Sequence, residues 1–166
     1  MNTPDGSTGK LSSIDRVRNA ARTLGLQIDI VRMDQSTRTA QEAADACGCS
    51  VAQIVKSLVF ENADTGALIL LLVAGNNNAD LDLIRETHGL TLQRCDTRKV
   101  RNETGFAIGG VAPIGHINPI RVLMDEGLLA HPAVWAAAGR PDSVFSVEPN
   151  ALCAAISAET ISVANP

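Results

Sequence analysis

The sequence predicts an α/β protein of the α+β type: a mixed, mostly antiparallel sheet, curved or barrel-like, flanked by helices. Two observations carry that expectation. Short apolar strand-like runs interleave with segments of helical period, but without the regular strand–helix–strand rhythm of a doubly wound fold. Two of the runs, Lys56–Phe60 and Leu68–Val73, are separated by Asn62-Ala-Asp-Thr-Gly66, turn chemistry that makes them a hairpin. The length, 166 residues, suits one self-sufficient core. The expected organisation is a flexible tail over 1–11 and a single domain over 12–166.

The elements follow in order. Ile14, Val17, Ala21 and Leu24 recur at three and four residues and Gly25 stops the pattern, so an amphipathic helix begins at Ser12. Gln27–Met33 alternates as a strand. Thr39, three residues before Glu42, forms a capping box for a helix that ends at Gly48. Ser50 and Gln53 repeat the pairing in a shorter helix that runs directly into the strand Lys56–Phe60. Leu68–Val73 is apolar throughout, as in a strand buried on both faces. Asn76 to Asp80 makes a polar loop and cap for a helix over Leu81–His88, and Leu90–Arg94 is the next strand. Asp96 or Thr97 caps a helix closing at Gly105. Beyond the glycine-rich segment, Ile120–Met124 reads as a strand, Asp125-Glu-Gly127 as a turn, and Val134–Ala138 and Val144–Val147 as two further strands. Asn150 is the expected cap of a last helix, Ala151–Ala158.

Composition narrows the function classes. Hydrophobic residues make up 45% of the chain and charged ones 19%, with one Trp and no Tyr, so the core is aliphatic and a disordered chain is excluded. A net charge of −4 argues against wrapping a long nucleic acid, where Lys and Arg must neutralise many phosphates. It leaves room for gripping one end, and Arg94, Arg98, Lys99 and Arg101 form a local basic cluster that serves either such contacts or an ordinary solvated helix face. Cys47, Cys49, Cys95 and Cys153 are too scattered for a disulfide framework and read as reduced, buried small residues. No His, Cys, Asp or Glu set has metal-ligand spacing, so neither a metal nor another cofactor is expected. The polar start and the absence of a long apolar run make a cytoplasmic protein the default expectation, with no membrane partner.

Two segments stand out chemically. Gly105-Phe-Ala-Ile-Gly-Gly-Val-Ala-Pro-Ile-Gly-His116 is an apolar approach into a turn with Gly109, Gly110, Pro113 and Gly115. Glycine has no Cβ to hold a ligand away and proline fixes φ, so bare N–H groups can be presented rigidly to an oxygen atom. The same spacing also suits a strand ending in a tight turn. Upstream, Lys56 is the sole charge in Val51–Phe60. An ammonium there either finds an anion or snorkels along its aliphatic stem into water. No Ser-His-Asp arrangement or cysteine nucleophile motif is recognisable. His88 and His131 have structural settings, at a helix end and beside Pro132.

Ile54-Val55-Lys56-Ser57-Leu58, Leu72-Val73-Ala74-Gly75, Thr104-Gly105-Phe106-Ala107-Ile108-Gly109-Gly110 with Pro113 and Gly115, and Trp135-Ala-Ala-Ala-Gly139 occur in the order found in the YbaK family. The chain resembles that family, which includes the editing domain of bacterial prolyl-tRNA synthetases and free-standing relatives, from about Leu24 to about Ile156. The resemblance implies a trans-editing hydrolase that deacylates mischarged aminoacyl-tRNA carrying a small amino acid, with the acceptor end of the tRNA and a possible synthetase as partners. It assigns Lys56 to binding and orienting the charged end. It assigns Gly109 and Gly110 to the catalytic backbone, each donor mattering by about 3 kcal/mol in other hydrolases. Water assisted by a ribose hydroxyl of the substrate would supply the attack. The expected substrate contacts are Val31, Met33, Phe60, Ile108 and Val111 as a size-excluding wall, with Ala112, Pro113, Gly115, His116 and Gly139 around it.

The chain also departs from the family. Some members carry a histidine near the penultimate strand or an aspartate soon after the following glycine. Here the corresponding stretch is Trp135-Ala-Ala-Ala-Gly139, and Val144 aligns with the aspartate, Asp142 being out of register. These departures leave the amino acid open. They also make a non-catalytic tRNA- or synthetase-binding module of the same fold the alternative reading.

Overall fold

The computed structural model describes residues 12–34 and 39–164, so the expected tail, 1–11, lies outside the described residues. Helix α1 (Ser13–Leu24) begins at the Ser12 cap and ends at Gly25 in the left-handed region, burying Val17 and Ala21. Strand β1 (Asp29–Arg32) follows, then α2 (Ala40–Cys47), which has the capping box of Thr39 and Glu42 that the sequence predicts. One 3-10 turn, Val51–Gln53, leads into β2 (Val55–Asn62), which pairs antiparallel with β3 (Leu68–Ala74) through the predicted hairpin. Helix α3 (Leu81–His88), β4 (Leu92–Arg94) and α4 (Thr97–Thr104) come next, capped by Asp80 and Asp96. After the glycine segment come β5 (Arg121–Asp125), a 3-10 turn Glu126–Ala130, β6 (Val134–Arg140), β7 (Ser143–Val147), α5 (Pro149–Ala155) and β8 (Glu159–Ile161).

The strands form two sheets. A five-stranded sheet runs β4-β2-β3-β5-β8 and a three-stranded one runs β1-β7-β6. Pairing is antiparallel except for β3–β5 and β5–β8, which are parallel, so the mixed, mostly antiparallel expectation holds. A parallel bridge between Ile54 and Trp135 joins the sheets.

Strand β3 explains why the molecule has two apolar layers. It is buried along its whole length, and alternation sends Leu70, Leu72 and Ala74 into the core under α1 and β6–β7, and Ile69, Leu71 and Val73 into a second core with Ile84 and Leu92. Each fully buried Leu or Ile contributes about 1.5–3 kcal/mol relative to exposure.

Several local expectations are corrected. The last helix starts at Pro149, because the Glu148 carboxylate caps the N–H groups of Asn150 and Ala151 and proline occupies the first turn. It stops at Ala155. Ser157 turns the chain through φ 53° into β8, a strand too short and polar for its sequence to announce. No strand forms over 105–116, which is irregular with a turn at 108–109. The four cysteines are free but only half-buried.

Candidate functional site

Strand β2, the glycine segment, α2 and the β6–β7 hairpin converge on one cavity of about 330 Å³ at the seam between the sheets. Its wall carries Val55–Leu58 with Ile54, then Ile108, Gly109 and Val111, then Thr39, Ala40 and Ala43. Trp135, Ala136, Ala137, Arg140, Pro141, Ser143 and Val144 complete it. The sequence signals of Lys56 and the glycine turn, 53 residues apart at Gly109, therefore meet in space.

Lys56 sits opposite Val73 on β2, and its ammonium donates to the Asn77 carbonyl. Asn77 is in turn held by Asp125, whose Oδ2 accepts from Asn77 Nδ2 at 2.9 Å and from the Ala74 N–H at 3.0 Å, while Oδ1 accepts from the Gly127 N–H at 2.9 Å. Asp125 is 2% exposed, a buried carboxylate with its lone pairs satisfied. Burial lowers the Lys56 pKa, and the Asp125 charge counters part of that fall. Sequence reasoning missed Asp125. Next to Gly127 it reads as turn chemistry, and nothing local distinguishes a turn aspartate from one buried under a parallel strand pair.

In the glycine turn, Gly109 has φ 94°, a region that a side chain strains to adopt, and open space where a Cβ would stand. Its N–H has no hydrogen-bond partner among the described residues. Gly110 differs. Its N–H donates to the Ala107 carbonyl at 3.0 Å, and a Cβ there would meet the Arg140 backbone at 3.0–3.2 Å, so its role is to close the turn against β6 rather than to offer a free donor. Ile108 projects from the turn 56% exposed, an apolar lip on the cavity.

The other expected contacts separate. Ile108 and Val111 line the cavity, while Phe60 lines a second one of about 230 Å³ that shares Ser57, Leu58, Ile108, Gly109 and Val111 with the first. Val31 is not on the wall, although its cross-strand partner Val144 is. Met33 is tied through its N–H to the Asp142 carbonyl, behind the hairpin. Ala112 is fully buried in the core. Pro113, Gly115 and His116 line a different cavity with Leu24 and Ile120. The imidazole Nε2 donates to Ala112 O at 2.7 Å and the ring meets Phe106 edge-on at 5.7 Å, so His116 staples the loop. Burial lowers its pKa, against the Ala112 hydrogen bond and with help from Arg16. Gly139 is buried because Ser13 of α1 packs where its Cβ would be, 2.9 Å away.

Among the described residues, no carboxylate, imidazole or thiol lines the cavity. Cys47 lies off the wall, and its thiol is pushed up to about 11 by burial and by Cys49 beside it, so it stays protonated. Asp142 is occupied by Arg32 at 3.1 Å and Arg140 at 3.5 Å. Among the described residues the wall therefore offers aliphatic surface, the hydroxyls of Thr39, Ser57 and Ser143, the cations Lys56 and Arg140, and the free backbone N–H of Gly109.

Comparison with known proteins identifies the class to which this fold belongs: the chain is a member of the aminoacyl-tRNA editing domain family, whose model matches residues 34–154. It is 29% identical to the uncharacterised protein YwhH of Bacillus subtilis (strain 168) over 140 residues, 84% of this chain and 88% of that one. It is also 29% identical to the proline--tRNA ligase of Thermosipho melanesiensis over 94 residues, which is 56% of this chain and 16% of the ligase. Among solved structures, a candidate trans-editing enzyme for prolyl tRNA synthetase is 43% identical with a TM-score of 0.86, covering 95% of this chain and all of that one.

Proposed function

We propose that the chain is a trans-acting deacylase that hydrolyses the ester between a small, apolar amino acid and the end of a mischarged tRNA. The observation that carries this reading is an aliphatic cavity with Lys56 and the unpartnered Gly109 N–H on its wall and, among the described residues, no carboxylate or imidazole. With Lys56 charged, the wall hydroxyls have no base to make them nucleophiles. The cavity is suited to hold an ester while water attacks.

Lys56 binds and orients the anionic end of the substrate. The Gly109 N–H polarises the ester carbonyl and stabilises the oxyanion. A ribose hydroxyl next to the ester takes the proton from water as the water oxygen bonds to the carbonyl carbon, and passes its own proton to the departing ester oxygen. The carbon–oxygen bond to the ribose then breaks, releasing the free amino acid and leaving the tRNA with its terminal hydroxyl. Ala40, Ala43, Ala136, Ala137 and Val144 favour a short aliphatic side chain, since a hydroxyl placed against them would lose its hydrogen bonds to water.

The biological logic is a limit of apolar recognition. A synthetase pocket separates side chains differing by one methylene only about 10- to 200-fold, so a second site must remove what slips through. Similarity to a proline--tRNA ligase and to a candidate trans-editing enzyme supports tRNA charged by that class of synthetase as the substrate.

The test is to incubate the protein with mischarged tRNA carrying Ala, Ser, Thr, Cys or a small non-protein amino acid and follow ester loss. Fast loss of the aliphatic esters is expected. A protein that binds these tRNAs yet hydrolyses none would be the binding module instead.

A further inference from the structure

Most basic side chains in this protein are engaged. Arg18, Arg32, Arg85, Lys99, Arg121 and Arg140 each face a carboxylate. Arg16 donates to the Gly105 carbonyl and Lys56 to that of Asn77. Among the described residues, Arg22, Arg94, Arg98 and Arg101 are left with neither an ion pair nor a side-chain hydrogen bond. Three of these four fall on one short stretch, the end of β4 and the outer face of α4, and all three are exposed.

Their surroundings keep that charge unopposed. Arg98 and Arg101, three apart, are neighbours on the helix surface opposite the buried Val100 and Thr104. Lys99, between them in sequence, turns inward and neutralises Glu61 while also donating to Gly66 O. The Asp96 carboxylate is spent on the Arg98 backbone N–H, and Glu103 lies 4.0 Å from Lys99. Arg94 marks the mouth of the second cavity, beside Phe60 and Thr97, and that cavity shares five wall residues with the site holding Lys56. A cationic strip thus borders a path into the candidate site. On a chain of net charge −4, such a strip is a local surface suited to phosphate contact.

We propose that β4 and the outer face of α4 form the landing surface for the acceptor end of the tRNA. Arg94, Arg98 and Arg101 contact successive phosphates, and the terminal unpaired nucleotide passes Phe60 through the second cavity toward Lys56. The proposal rests on the deacylase reading for its choice of RNA. Backbone phosphates recognised by three arginines supply affinity without base specificity, while the aromatic ring of Phe60 offers a face on which any base can stack.

The experiment compares the wild-type chain with Arg98→Glu/Arg101→Glu, the milder Arg98→Gln/Arg101→Gln, and Arg22→Glu as a control, each checked for fold by circular dichroism. Binding of uncharged tRNA is read by anisotropy across salt concentrations. The glutamate pair is expected to weaken binding at least about tenfold and the glutamine pair to lower the salt slope by about 1 per arginine, with Arg22→Glu unchanged. Hydrolysis is then compared on mischarged tRNA and on the same amino acid esterified to adenosine, which has no phosphates. The arginine variants should lose kcat/KM on the tRNA and keep it on the adenosine ester. Unchanged tRNA binding, or equal losses on both esters, would overturn the surface assignment. A wild-type protein inactive on both esters would overturn the deacylase reading while the arginine-dependent binding still reports on the surface.

Discussion

The Lys56 ammonium sits where two demands meet. Burial disfavours its charge, and Asp125, acting through Asn77 as well as across space, restores part of what burial removes. Asp125 is a positioning residue, since it touches the lysine's carbonyl partner and not the cavity. Lys56→Ala should fold, because Asp125 keeps three N–H donors without it, and should lose most deacylation. Near-wild-type turnover by a folded variant would make the lysine structural. The lowered pKa also has a sign. In the role proposed for it the charged form binds the substrate, and that form is lost at lower pH than in a free lysine, so the enzyme-dependent rate should fall as pH rises before the ordinary value of about 10.4 is reached. Measuring kcat/KM against pH, with spontaneous ester hydrolysis subtracted, checks this. Arginine at position 56, which stays charged, should abolish the falling limb of whatever activity it retains.

The glycine turn works because other elements hold it from behind. Arg16 of α1 reaches the Gly105 carbonyl and lies 4.9 Å over the Phe106 ring, and His116 closes onto Ala112. Because His116 has a lowered folded pKa, the unfolded chain takes up a proton more readily as pH falls below about 6.5. The staple's contribution is therefore intact above that value and is lost as acidity increases. Urea midpoints at about pH 7.5 and about pH 5 should differ more for the wild type than for His116→Gln; equal differences would locate the titration elsewhere. Gly109→Ala tests the turn itself. The space is open, so only φ is strained, at a cost of about 1–2 kcal/mol. Redirecting the N–H should cost about 10- to 1,000-fold in kcat, with tRNA binding nearly unchanged. Wild-type kcat in a folded Gly109→Ala protein would remove Gly109 from the oxyanion role.

Across the whole molecule, legibility followed the range of the interactions. Caps at Thr39 and Asp80, the hairpin turn and the fully apolar β3 were readable because each is decided within a few residues. The division into two sheets was not, since it depends on β1 pairing with β7, more than a hundred residues later. The site divided the same way. Lys56, Gly109, Ile108 and Val111 came from local oddity and family likeness and do share one wall. The α2 alanines, Trp135 and Val144 enter it only through packing, while Val31 and Met33 lie off its wall and Gly139 is covered by Ser13 of α1.

The seam joined by Ile54 and Trp135 also has an optical consequence. Trp135 is the sole indole in a chain without tyrosine, and it stands on the cavity wall. Near-ultraviolet emission from the unlabelled protein therefore reports from one place, the candidate site. A ligand that displaces water from the ring should shift the emission to shorter wavelength and shield it from a soluble quencher such as acrylamide. Titration with a non-hydrolysable aminoacyl-adenosine analogue checks this directly, and an emission spectrum indifferent to saturating analogue would mean that occupancy leaves the tryptophan side of the seam untouched.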